Sequence, residues 1–285
     1  MQISASVHAI RHPFRLSFGD GRYAERFVYS YLIVGKTICL VDVGVTATAP
    51  MLLDYVRGLG RSPEEIAMIL LTHSHPDHIG GAAAIKKLAP AAVVAVHGAE
   101  RNWVEDIGQQ YRERPIPNLF ELVGESLPVD HDLVDGELIA WEEGKAIRVL
   151  STPGHSPGSV SFLLDGEGAL FSGDVLPAAN SIPIYVDPAA CLASIERLRQ
   201  LPGVRLLLSS WDEPITGERI AEVMAAGSGY IEKIDALVRE IQGTEPDISL
   251  ETLSRRVLAA LGINLPMIFF MVQNTFKGHR DQISV

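Results

Sequence analysis

The segment Thr72-His73-Ser74-His75-Pro76-Asp77-His78-Ile79-Gly80-Gly81 restricts this chain more than any other part of it. Three imidazoles and a carboxylate fall between positions 73 and 78, directly after the apolar run Ala67–Leu71 and directly before the Ala-rich stretch Gly80–Leu88. The first run reads as a buried strand and the second as a helix. In an extended segment, residues two apart point the same way, so His73 and His75 can face one ion. Asp77 and His78 sit where the chain turns into the helix and can face a neighbouring position. Imidazole and carboxylate are donors suited to zinc, iron or manganese. A loop that merely happened to be histidine-rich would not need this spacing at a strand–helix junction.

A metal centre needs ligands from elsewhere, and strand ends offer them. Ser151-Thr152-Pro153-Gly154-His155-Ser156-Pro157-Gly158-Ser159 lies between two strand signals and presents His155 on a turn rich in Gly and Pro. Leu170-Phe171-Ser172-Gly173-Asp174 ends an apolar strand on a carboxylate. Each is ordinary alone, and each reads as a ligand beside the first cluster.

The rest of the pattern is β-rich, then alternates helix and strand, then repeats, which fits two packed sheets with helices outside. Phe27–Val34 and Thr37–Val43 read as a hairpin about Gly35-Lys36, and Pro50–Gly58 as a helix. Ser62-Pro63-Glu64-Glu65 carries a helix-start signature. Ala92–Val96 is the next strand. Periodicity fades over Gln109–Val134, broken by Pro115, Pro117 and Pro128, which predicts a long lid or binding loop. Strands return at Glu137–Trp141, Ala146–Leu150, Ser159–Leu164 and Ala169–Phe171, with turns at Asp135-Gly136, Glu143-Gly144 and Asp165-Gly166. A helix over Ala189–Leu201 and a buried strand over Val204–Leu208 follow. Beyond Gly217 the pattern is helical: Glu218–Ala226, Tyr230–Ile241, Leu250–Leu261 and Pro266–Phe276, divided at Gly227-Ser228-Gly229, Gly243–Asp247 and Gly262-Ile263-Asn264. The expected division is a metal-binding domain over 1–217 and a helical extension over 218–285. Met267–Met271 reads as helix packing or a dimer contact.

On these residues the chain resembles the metallo-β-lactamase superfamily, whose hallmark is HxHxDH followed by a downstream His and a bridging Asp. His73, His75, Asp77 and His78 match the first motif, His155 the second and Asp174 the third, over roughly Ile3 to Gly217. The resemblance implies an α/β fold, the αββα sandwich. It also implies one or two divalent transition-metal ions (zinc, iron or manganese), with His73, His75 and His155 on the first, Asp77 and His78 on the second, and Asp174 between them. Asp42, in Leu40-Val41-Asp42-Val43-Gly44, matches a family aspartate that hydrogen-bonds a ligand imidazole. Histidine and not glutamate at position 75 disfavours the flavodiiron branch. One departure stands out: where relatives with two full sites carry a Gly-His-Gly turn, this chain reads Ser209-Ser210-Trp211-Asp212. Indole nitrogen only donates, so Trp211 becomes a pocket wall and Asp212 the expected replacement ligand. His97 is a further pocket candidate, although a structural role suits it better. His8, His12 and His131 read as surface or strand-end residues, and His279 lies near the terminus.

The resemblance implies a hydrolase in which Asp77 and Asp174 hold and orient the attacking hydroxide, acting on a small-molecule thioester or lactone. Its rivals are a mononuclear iron oxygenase of the persulfide dioxygenase type and a non-catalytic metal-binding regulator. The formal net charge of −11 weighs against general affinity for nucleic acid or anionic membranes. No apolar stretch approaches the roughly 20 residues of a membrane span, and no secretory leader is visible. With only Cys39 and Cys191, the expected setting is cytoplasmic and reducing. A homodimer is possible. Since the ligand motifs are generic, Gln109–Val134 and the helices after Gly217 are expected to border the pocket and set substrate choice.

Overall fold

The computed structural model describes residues 1–17, 22–142, 145–265 and 267–283. Two six-stranded sheets are formed. The first contains β1 (Val7–Ser17), β2 (Tyr23–Val34), β3 (Ile38–Val41), β4 (Ile66–Leu70), β5 (Val93–His97) and β6 (His131–Leu133), in chain order. The second contains β7 (Leu138–Glu142), β8 (Lys145–Ser151), β9 (Val160–Leu164), β10 (Ala169–Gly173), β11 (Leu206–Ser209) and β12 (Ile215–Thr216), also in chain order. Pairing is parallel from β3 through β6 and between β10 and β11, and antiparallel elsewhere.

Strand periodicity dictates the layers. Successive side chains on a strand point to opposite faces, and here both faces are apolar because both are covered. Tyr29, Tyr31, Cys39, Val41, Phe162, Phe171 and Leu208 fill the space between the sheets. Their strand neighbours Leu32, Ile38 and Leu40 face outward under α1 (Ala49–Gly58) and α3 (Ala82–Leu88). On the other side, Leu163, Leu170 and Leu207 face α7 (Pro188–Arg199), α8 (Arg219–Thr244), α9 (Leu250–Ala260) and α10 (Phe270–Ile283). The result is the helix–sheet–sheet–helix sandwich. The C-terminal helices share one apolar cluster with α7 and the second sheet, so they have no core of their own.

Several local expectations change. The stretch Gln109–Val134 is mostly built rather than looped. It contributes α5 (Ile107–Glu113), α6 (Leu119–Val123) and β6, after α4 (Gly98–Glu105). These helices are too short for periodicity to register, and Ile107, Leu119 and Leu122 are held by burial. The helix-start signature at Ser62 does form a capping box with Glu65, but it closes a single 3-10 turn, Pro63–Glu65, before β4. Gly227-Ser228-Gly229 does not break α8, which runs through it for 26 residues. Gly227 is buried against Leu176 and Pro177, so tertiary packing offsets the roughly 1 kcal/mol cost of a helical glycine. Met267–Phe269 precede the last helix, which begins at Phe270. The turn at Glu143-Gly144 and a helix start at Pro266 lie outside the described residues. Among the described residues no helix is long and apolar enough to cross a membrane.

His12 is the largest departure. It is fully buried on β1, and neither ring nitrogen has a hydrogen-bond partner. His8, on the same face, is also buried and meets the Tyr55 hydroxyl at 3.0 Å. Burial pushes the His12 imidazole down to about 4, because charge without a partner is penalised in an apolar setting. The unfolded chain therefore takes up this proton first as pH falls. Stability from this group is full above about pH 6.5 and is lost towards pH 4. We expect the wild type to lose about 2 kcal/mol through this group between about pH 7.5 and pH 5. His12→Leu should remove that part of the pH dependence in urea unfolding. An unchanged pH slope in the variant would show that His12 is not the source.

Candidate metal centre

Every side chain of the sequence cluster stands at one edge of the sandwich, where strands from both sheets end. Asp42 follows β3, and Thr72 to His78 follow β4 and lead into α2 (Pro76–Ile79). His155 lies on the β8–β9 connection and Asp174 follows β10. Carboxyl ends of neighbouring strands open a crevice of this kind in α/β sheets. The sheets are tied together here by Val160 N–H donating to the Thr72 carbonyl at 2.9 Å. Gly173 (φ +53°) makes the approach possible: a Cβ there would sit 2.9 Å from the Thr72 side chain.

His73 Nε2, His75 Nδ1 and His155 Nε2 form a triangle with edges of 3.0, 3.1 and 2.8 Å. Hydrogen bonds on the far sides of the rings assign their tautomers. His155 Nδ1 donates to the Ile184 carbonyl at 2.7 Å. Asp42 accepts from both Thr72 N (2.8 Å) and Thr72 Oγ1 (2.8 Å). The Thr72 oxygen is thus left to accept from His73 Nδ1 at 3.0 Å. Asp42 Oδ2 also accepts from His78 Nδ1 at 2.8 Å. His73 and His155, and His78 whenever it is neutral, are each left with a bare Nε2 turned inward.

Converging lone pairs repel unless a cation lies between them. With Asp174 the three triangle residues offer donor atoms all within 4.8 Å of one another, a group that can hold a metal ion. Asp174 reaches towards two places: Oδ2 is 3.5 Å from His155 Nε2, and Oδ1 is 3.3 Å from His78 Nε2. Asp77 Oδ2 lies 3.9 Å from the same His78 nitrogen. His78 Nε2 and Asp174 Oδ1 are buried with no hydrogen-bond partner. Unpaired buried polar atoms are costly, and these two face each other as donors to one further ion would.

Electrostatics separate the imidazoles. Burial holds His73 and His75 well below the usual histidine range, aided by His78 and His155 respectively. Burial also lowers His155, against the pull of Asp174. Burial opposes charge on His78 too, but Asp174, Asp42 and Asp77 together raise it well above its ordinary value. Burial raises the Asp77 carboxyl.

A second carboxylate organises the centre and carries no sequence signature. Glu100, fully buried in the first turn of α4, accepts from Ser74 N (3.2 Å) and the Ser74 hydroxyl with one oxygen. The other accepts from Ser156 Oγ (2.7 Å) and Gly158 N (2.9 Å). It therefore joins the His73–His75 segment to the His155 turn. Gln110 Nε2 donates to the Ser74 carbonyl at 2.5 Å and Arg114 Nη2 to its hydroxyl at 2.7 Å. An acid just inside a helix ordinarily reads as dipole compensation, so only the tertiary contact reveals this role.

The remaining candidates separate. Trp211 lines the cavity over the centre and packs edge-on against Phe27 at 6.3 Å. Asp212 stands outside both the four-residue cluster and the cavity wall, and its carboxylate meets Ser209 Oγ at 3.4 Å. His97 caps α4, accepting from Ala99 N at 3.2 Å, and does not line the cavity. His279 is fully buried between the Tyr185 hydroxyl (2.8 Å) and Asp235 (3.3 Å), where it joins α10 to α8.

The Glu100 geometry makes a prediction. Glu100→Ala should cost about 2–4 kcal/mol of stability by orphaning buried donors, and should weaken metal binding roughly 10- to 100-fold in chelator competition. Glu100→Gln should recover part of both. Wild-type metal affinity in a folded Glu100→Ala protein would refute the bridging role.

A model of the metallo-beta-lactamase superfamily matches residues 23–210. A hydroxyacylglutathione hydrolase of Methylococcus capsulatus is 30% identical over 191 residues, 65% of either chain. One from a Synechococcus strain is 26% identical and covers 91% of this chain and 97% of its own. Among solved structures, a beta-lactamase domain protein of Burkholderia ambifaria superposes with a TM-score of 0.73 at 17% identity, covering 100% of this chain and 87% of that one. A metallo-beta-lactamase family protein of Thermus thermophilus gives 0.69 at 22% identity, with 96% and 93% covered. At such identities these structures bear on the fold alone.

Proposed function

Because the chain belongs to the metallo-beta-lactamase superfamily, we propose that this hydrolase uses one or two divalent transition-metal ions to cleave an ester-like bond, thioesters first and lactones second. The observation that carries the reading is the set of bare imidazole nitrogens and unpaired carboxylate oxygen converging at one strand-end crevice. The thioester preference rests on the relatives named as hydroxyacylglutathione hydrolases.

His73, His75 and His155 would hold the first ion, with Asp77 and His78 on the second and Asp174 shared. A divalent ion so held supplies Lewis acidity and a source of hydroxide near neutral pH. Hydrolysis then adds water across the acyl–sulfur bond: the acyl carbon gains oxygen and sulfur leaves as the thiol, taking a proton. Asp174 would hold the attacking water and Asp77 would orient it. Asp42 keeps His73, through Thr72, and His78 in the tautomers this requires. Asp212 is assigned the turn that carries Trp211 rather than a ligand role. On this reading residues 1–217 carry the centre, and residues 218–285 complete its wall. Buried free thiols at Cys39 and Cys191 suit a reducing, cytoplasmic setting.

Metal quantification on protein purified without added metal, followed by a thioester, lactone and phosphodiester screen, tests the proposal. His73→Ala and His155→Ala should each abolish turnover and lower metal content while the sandwich stays folded by circular dichroism. Full metal occupancy in either variant would remove its basis.

A further inference from the structure

The cavity that opens onto the centre has a volume of about 600 Å³, within the range of drug-sized ligand sites. One end is formed by His75, Asp77, His155 and Asp174. Beyond them the wall is dominated by hydrocarbon. Phe14 and Phe27 come from the β1–β2 hairpin, Trp211 from the turn after β11, Ile263 and Phe269 from the segment joining α9 to α10, and Met271 from the first turn of α10. The two sides are remote in sequence and meet over the crevice. Arg26 is the only cationic side chain among the described residues of the wall, against Glu25, Asp77 and Asp174.

A site selecting a small hydroxylated acyl group needs polar partners set close to the reacting carbon, because such groups discriminate by hydrogen bonding. This cavity instead offers apolar surface over most of its depth, with few polar side chains, among them Asn180 and Ser181. Apolar walls reward chain length and reject charge. The single Arg26, set against three carboxylates, would do little for a polyanionic acyl group.

Resting on the hydrolase reading above, we infer that the substrate carries an extended apolar acyl chain. Its carbonyl would lie at the metal centre and its tail between the β1–β2 hairpin and the α9–α10 segment. The C-terminal helices thus act as the specificity element, supplying the wall that the sandwich alone lacks.

A homologous series of N-acetylcysteamine thioesters, from acetyl to decanoyl, tests this on the metal-loaded full chain, because only the acyl group varies. Burying one methylene is worth about 0.8 kcal/mol, or about fourfold. The specificity constant kcat/KM should therefore rise roughly a hundredfold or more from acetyl to octanoyl. Ile263→Ser and Phe269→Ser should each cut the octanoyl-to-acetyl ratio about tenfold. A flat or falling series with measurable turnover would overturn the inference and leave the hydrolase reading intact. S-alkyl thioethers of the same lengths, which cannot be hydrolysed, provide a binding readout through Trp211 fluorescence, with Trp211→Phe as control. Affinity rising with length and no turnover of any thioester or lactone would sustain the apolar pocket and sink the hydrolase. Length-independent binding without turnover would sink both.

Discussion

Four hydrogen bonds made by the side chains of Asp42 and Thr72 set the register of this molecule's functional edge. Asp42 sits in the left-handed region, with φ of 54°, a conformation that aspartate tolerates better than most residues. There its carboxylate can receive the Thr72 amide, the Thr72 hydroxyl and the His78 ring together. One side chain at the end of β3 thereby holds the segment after β4 and dictates which nitrogen of two imidazoles stays bare. The sandwich beneath exists in part to place these two strand ends side by side, and parallel pairing of β3 with β4 does so directly.

Glu100 performs the matching task between segments that share no sheet neighbour. The His73–His75 segment comes from the first sheet and the His155 turn from the second. A geometry defined by nitrogens about 3 Å apart across that junction tolerates little drift. A buried carboxylate accepting from Ser74 on one side and from Ser156 and Gly158 on the other locks the two together. The centre is therefore held by a carboxylate on each side: Asp42 within the first sheet and Glu100 between the sheets.

The apolar architecture and the pocket are continuous. The cluster that seats α8, α9 and α10 on the second sheet also packs Ile263 and Phe269, which form the cavity wall. The cavity wall and the stability of the C-terminal helices thus draw on the same side chains, so changes in the wall must preserve packing as well as shape.

The cluster of candidate ligand residues and the layer order were legible in the chain itself. His73, His75, Asp77 and His78 are adjacent in sequence, and strand periodicity is a local property that survives without knowledge of the partner face. The apolar runs of β4, β9, β10 and β11 were readable for the same reason. What the chain alone could not decide depends on segments far apart in sequence. Glu100 looks like any helix-entry acid until Ser74 and Ser156 close on it. His12 looks like a strand-end residue until β1 is covered. Gly227 looks like a helix break until Pro177 packs against it. Asp212 looks like a free turn carboxylate until Ser209 Oγ is found beside it. In each case local sequence offers the group, while burial and a distant partner, available only after folding, determine what that group does.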